Sequence, residues 1–136
     1  MIVANNLSIF DISGRAMSAQ LVRLNTTASN LANAGTVSGS EASAFRAMKP
    51  VFRTVMGDNG TATVAVDQIT QATANPVKRH EPDHPLADNN GDVWEAAVDS
   101  ASELVEMVET ARHYQNNVQV LSTAKGLISE TLRLGQ

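Results

Sequence analysis

The sequence predicts a mainly α chain, in which two long terminal helices form an antiparallel coiled-coil-like pair joined by an irregular insert that carries a small β-hairpin. Three observations carry this expectation. A seven-residue apolar repeat runs through the N-terminal third, and a longer one fills the C-terminal third. Between them the helical period fades, and prolines, glycines and β-branched residues take over. At 136 residues the length suits one folded unit. The patterning divides it into a helical assembly part, residues 1–34 together with 93–136, and an extended and β insert, residues 35–92.

In the N-terminal part, Val3, Leu7, Phe10, Gly14, Met17, Leu21, Leu24, Ala28 and Leu31 alternate spacings of four and three, the mark of a coiled-coil seam. A helix is expected over roughly residues 5–33. Gly14 in the seam costs up to about 1 kcal/mol of helix propensity but lets a neighbouring backbone approach. Gly35 follows as a C-terminal cap. Asn30 and Asn33 are candidates for hydrogen bonds between helices, against the plainer reading of a polar face.

The insert differs in kind. "TVSGSEAS" is polar and turn-forming. Phe45–Val55 alternates partly around Pro50, and Thr61–Thr70 is rich in β-branched residues. "MGDNG", Met56 to Gly60, lies between them as a hairpin turn. A hairpin between Phe45 and Thr70 is therefore expected, followed by proline-rich extended chain.

For the C-terminal part, Asp92 with Glu95 three residues later reads as a capping pair, placing a helix over roughly residues 95–134 with Trp94 as a packing anchor at its start. Leu104, Met107, Ala111, Tyr114, Val118, Leu121, Lys125, Ile128 and Leu132 form its seam. A second apolar flank beside it includes Val98, Ala101, Val105, Val108, Val120, Ala124, Leu127 and Leu134. The apolar face is wider than a two-helix seam needs. About 42 residues at 1.5 Å each make a rod of roughly 60 Å, whereas a compact chain of this length is only about 35–40 Å across. Either the helix breaks near Gly126, or the molecule is elongated and completes its burial against other subunits. The wide apolar face favours the second, and makes the two seams the expected assembly interface: Phe10, Met17, Leu21, Leu24, Asn30, Leu31 and Asn33 from the first helix, with Leu104, Met107, Tyr114, Val118, Leu121, Ala124, Leu127, Ile128 and Leu132 from the second.

Composition excludes several functions. A net charge of −4 without a lysine-arginine block speaks against nucleic acid as a partner. The absence of cysteine excludes a disulfide framework and thiol-rich zinc sites. The N-terminal residues lack the features of a cleaved signal peptide. His80-Glu81-Pro82-Asp83-His84 spells H-E-x-x-H, the zinc-peptidase pattern, which works only where both histidines share one face of a helix. Pro82 and Pro85 forbid that helix, at about 3 kcal/mol or more for an interior proline. No catalytic zinc, cofactor or small-molecule substrate is expected, and neither a G-x-S-x-G elbow nor a phosphate loop is present. His113-Tyr114 has no catalytic partner in sequence; Tyr114 belongs to the seam.

Ala28–Thr36, "ASNLANAGT", resembles the asparagine-rich signature of the bacterial flagellar rod and hook family. Phe10–Ala34, the linker Glu81–Val93 with its P-x-H-P-x-A-D-x-x-G-x-V run, and Glu103–Gln136 resemble the member of that family that builds the proximal rod. Ala96-Ala97-Val98-Asp99 stands where that member has P-N-V-D, which suggests an earlier helix start; Tyr114-Gln115-Asn116-Asn117 departs slightly from Y-Q-A-N. The resemblance implies a structural subunit, a homo-oligomer within the rod. Its implied neighbours are other rod subunits, the membrane-ring protein and components of the export gate. It also implies export without a cleaved signal and a periplasmic place in the basal body, with end helices that become ordered on assembly. The alternative reading of the same seams is a soluble coiled-coil adaptor or export chaperone.

Overall fold

In the computed structural model the described residues are 2–58 and 60–135, with side chains described from Ser8 onward. Val3 and Leu7 of the expected seam thus have side chains outside the described set, as does Asn59 of the expected turn. The chain runs as helix α1 (Ile2–Asn33), strands β1 (Val37–Ser38), β2 (Met48–Met56), β3 (Ala62–Gln71), β4 (Val77–His80) and β5 (Asp92–Glu95), and helix α2 (Ser100–Leu134).

The mainly α class with an irregular insert is corrected by this arrangement. Five strands form two antiparallel sheets, and the chain is α+β. β2 and β3 make the hairpin, in register from Met48 opposite Gln71 to Met56 opposite Ala62, with an irregularity between Val51 and Phe52. Pro50 is tolerated in β2 because a two-stranded sheet leaves both strands with an open edge, where a missing N–H costs no ladder bond. At the turn, Gly57 N–H donates to Thr61 O at 2.8 Å, and Gly60 adopts φ +75°.

The second sheet has the order β1-β5-β4. Glu95 faces Val37 on one side and Val77 on the other, and Trp94 faces Ser38 and Lys78. Trp94 is therefore a strand residue rather than a helix anchor. Beyond β5 the chain is gripped by backbone bonds: Ala96 N–H donates to Thr36 O, Ala97 N–H to Phe45 O, and Ala47 N–H to Ala97 O. Small side chains permit this close approach. Ala44, Ala47, Ala96 and Ala97 are buried, together with Val93, which has no exposed surface.

The expected helix start is also corrected. Asp92 and Glu95 do not cap α2; they bound β5. The cap is Asp99, in extended conformation at φ −91°, ψ 101°. Its Oδ1 accepts from Ala101 N–H at 3.0 Å and Ser102 N–H at 3.4 Å, while Ser102 Oγ donates to Oδ2 at 2.7 Å. These bonds, the Ser102 hydroxyl first, hold the Asp99 carboxyl below its usual range. Nor does Gly35 end α1 through a left-handed cap; Thr36 Oγ1 donates to Asn33 O at 2.8 Å instead. α2 passes through Gly126 unbroken, and its 35 residues make a rod of about 50 Å. It packs along α1, with the end of α1 beside the beginning of α2.

Candidate assembly site

The coiled-coil seam expected between the helices is not what they share. Half of each apolar series faces inward: Phe10, Met17, Leu24 and Leu31 on α1, and Met107, Tyr114, Leu121 and Ile128 on α2, are half-buried. The other half is displaced by one residue. Where Gly14, Leu21 and Ala28 were expected inside, all three are exposed, and Ser13, Gln20 and Thr27 take the inner position. On α2, Leu104, Val118 and Lys125 are exposed, and Glu103, Thr110, Asn117 and Ala124 face in; Leu132 keeps the phase of Leu121 and Ile128 and is exposed at the helix end. Ala111 is half-buried beside them. The inner stripe thus alternates large apolar residues with small or polar ones.

Several polar groups on and beside this stripe have hydrogen-bond partners. Thr110 Oγ1 donates to Glu106 O at 2.7 Å and Thr26 Oγ1 to Val22 O at 2.8 Å, bonding back into their own helices. Asn117 Nδ2 donates to His113 O. Gln20 Oε1 is a buried acceptor without a partner among the described residues.

At the base of the pair a charged cluster joins three elements. Asn30, fully buried, accepts from Met48 N–H at 2.7 Å through Oδ1. Its Nδ2 donates to Met48 O at 2.8 Å and to Glu103 Oε2 at 3.0 Å. Lys49, next along β2, donates to Glu103 Oε1 at 2.8 Å and Glu106 Oε2 at 2.7 Å. Glu103 is only 3 % exposed, so its charge needs both partners. Burial works against the Lys49 ammonium, but its hydrogen bonds to Glu103 and Glu106, with their charges, outweigh that and raise its pKa. Arg23 adds a further tie to β2, its guanidinium 4.6 Å from the centre of the Phe52 ring. Asn33, by contrast, donates to Ser29 O of its own helix.

The H-E-x-x-H segment is not helical. His80 closes β4 and its Nδ1 lies 2.8 Å from Asp92 Oδ1; His84 Nδ1 accepts from Leu86 N–H at 3.1 Å. Lys78 takes the other Asp92 oxygen. Hydrogen bonds from Lys78 and then His80 hold the Asp92 carboxyl below its usual range. Asp88 Oδ1 gathers the N–H groups of Asn90 and Asp92, and Glu81 N–H donates to Gly91 O. The proline-histidine linker is a loop tied by these bonds.

What remains is the outward side of α2. Leu104, Val105, Val108, Val118, Val120, Leu127, Leu132 and Leu134 are each at least 43 % exposed, and Leu21 of α1 is exposed to the same degree. Leu121, Ala124 and Ile128 are half-buried on the inner stripe, so Ala124 parts from the outer flank it was grouped with. The sequence offered one signal for the inner polar stripe: seven-residue spacing in Ser13, Gln20, Thr27 and in Glu103, Thr110, Asn117, one position from the apolar series.

Two family models match the chain. One described as "Flagella basal body rod protein" covers residues 10–38, and one described as "Flagellar basal body rod FlgEFG protein C-terminal" covers residues 90–134. Flagellar basal-body rod protein FlgC of Salmonella typhimurium is 44% identical over 132 residues, 96% of this chain and 98% of that protein. This chain belongs to the FlgC family of flagellar basal-body rod proteins. The FlgC proteins of Yersinia enterocolitica, 45% identical over 132 residues, and of Buchnera aphidicola subsp. Schizaphis graminum, 37% identical over 134 residues, each match 96% of this chain and 98% of their own length. As a FlgC-family protein it is a structural subunit of the flagellar basal-body rod, serves motility, and assembles with other rod components. The adaptor reading gives way to the structural one. Both model matches fall on the terminal helices and the segments joining them to the insert, where the FlgC-family chain carries most of its exposed large apolar side chains; others, such as Met56 and Val77, lie in the insert.

Proposed function

We propose that this rod subunit polymerises, with copies of itself and with neighbouring rod subunits, through the outward sides of its terminal helices, and builds the proximal part of the rod. In this reading residues 1–34 and 93–136 form the assembly part and residues 35–92 the insert. The subunit works in the periplasmic space, reaches it by export without a cleaved signal peptide, and abuts the membrane-ring protein and export-gate components at the base. One observation carries the reading. Eight large apolar residues of α2 are exposed while small or polar residues take every other place on the inner stripe. A lone chain gains nothing from that arrangement, because apolar surface left in water forfeits about 25 cal/mol per Å² of the burial free energy it offers. Neighbouring subunits would recover it.

The experiment compares outer with inner positions. Leu127→Asp and Val120→Asp should leave the chain folded and exported but absent from isolated basal bodies, and the cells non-motile. Leu121→Asp, on the inner stripe, should instead lower the stability of the chain itself. Wild-type incorporation of both outer variants would refute the proposal.

A further inference from the structure

The inner stripes of the two helices nearly repeat themselves every seven residues. Sliding α2 along α1 by seven residues, about 10 Å, would again bring the same kinds of side chain opposite one another, because both stripes keep the same seven-residue order. Packing of the stripes therefore defines the axial register of the pair only weakly. The cluster of Asn30, Lys49 and Glu103 has no such repeat. Seven residues before Asn30 stands Arg23, and seven after Glu103 stands Thr110. Asn30 is already committed to both backbone groups of Met48, and Lys49 follows Met48 directly, so the acceptor Glu103 must come to one fixed place on α1 and β2.

We infer that the Asn30–Glu103–Lys49 cluster is a register lock, selecting one axial alignment of the two helices, and of both against the hairpin, from alignments that the stripes alone leave nearly equivalent. A buried polar contact that sets alignment at some cost in stability is a known use of such groups in helix pairs. Among the described residues, ion pairs join α2 to the rest only at this cluster, beyond the backbone bonds that Ala96 and Ala97 make just before the helix. Glu103 and Glu106 reach it from one side, and Asn30 and Lys49 from the other.

The test reads alignment rather than stability. Spin labels at Ala28 on α1 and Ser122 on α2, both exposed and far apart along the axis, are placed in the full-length chain, where a slide of seven residues changes their separation by close to 10 Å. The otherwise unchanged chain should give one distance. In Lys49→Met/Glu103→Met the Asn30–Met48 bonds remain and the charge is removed from both partners. Helical content by circular dichroism should persist, while a second distance displaced by roughly 10 Å appears. Glu103→Gln, which still accepts from Asn30, should keep the single distance. A single unshifted distance in the double variant would overturn the proposal, and so would loss of its helices, since the cluster would then be a source of stability. Two distances, or a broad spread, in the unsubstituted chain would overturn it as well.

Discussion

Asn30 and Met48 are joined as neighbouring strands are joined: the amide oxygen of one accepts the other's N–H at 2.7 Å, and the amide nitrogen donates to its carbonyl at 2.8 Å. A helical side chain thereby occupies the open edge of β2 at its first residue. Asn30→Ala strips partners from both Met48 backbone groups and from buried Glu103. Each buried group left unpaired costs about 1–3 kcal/mol, and the total should reach roughly 3 kcal/mol. Urea unfolding should show a lower midpoint with an unchanged slope. A midpoint within error of the parent would mean that water replaces the amide without loss.

Capping at Asp99 is separable from the acidic residues upstream. Asp99→Ala removes the acceptor for Ala101 and Ser102, and should cost about 1 kcal/mol. Glu95→Ala should not affect the helix start, since Glu95 bonds to Arg79 at the sheet surface. Amide exchange at Ala101 and Ser102 distinguishes them: only the first substitution should accelerate it.

Gly91 is needed for two reasons at once. Its φ of +76° is strained for any side chain, and a Cβ there would lie 3.0 Å from Pro82 Cβ and 3.1 Å from His80 Cε1. Gly60 shares the positive φ but has open space around it. Gly60→Ala should therefore cost only the conformational term, about 1–2 kcal/mol, and Gly91→Ala distinctly more. Thermal unfolding of the two variants side by side provides the comparison. Equal losses would show that the linker gives way without resistance.

The clasp of Asp92 has a defined pH range. Its carboxyl is held below the usual value by Lys78 and then His80, so its contribution to stability is present above the ordinary carboxylate pKa and is lost as pH falls through the lowered value, below about pH 4. Lys78 is shifted upward by the same pairing, so its share is present below the ordinary lysine value and lost only as strongly alkaline pH is reached. Lys78→Met should move the Asp92 titration, followed by carboxyl NMR shift, up toward the ordinary range. An unmoved titration would assign the effect to His80 alone.

The sequence disclosed the two helices and the hairpin because each has a local signal: a long seven-residue repeat, or β-branched residues around a glycine turn. The three-stranded sheet had none. β1 is two residues long, and β4 reads Val-Lys-Arg-His, a charged segment whose strand character comes only from pairing with β5. Asp92-Val93-Trp94-Glu95 imitated a helix cap for the same reason, since the spacing of acceptor and carboxylate says nothing about partners that arrive from residues 37 and 77. Of the candidate interface, the apolar periodicity was legible but not its phase. Leu104 and Glu103 differ by one position and 100° around the helix, and Asn30 decides between them from 73 residues away.

The displacement of that stripe by one residue has a consequence for anyone redesigning the chain. Routine improvement of a poorly behaved protein replaces exposed leucines and valines with lysine or glutamate, and fills polar interior positions with leucine. Applied here, the first change would erase Leu127 and Leu132, and the second would overwrite Thr27 and Thr110. The product would be easier to purify and harder to melt. On the assembly reading it would also be useless to the cell, and no assay performed on the isolated chain would reveal the fault.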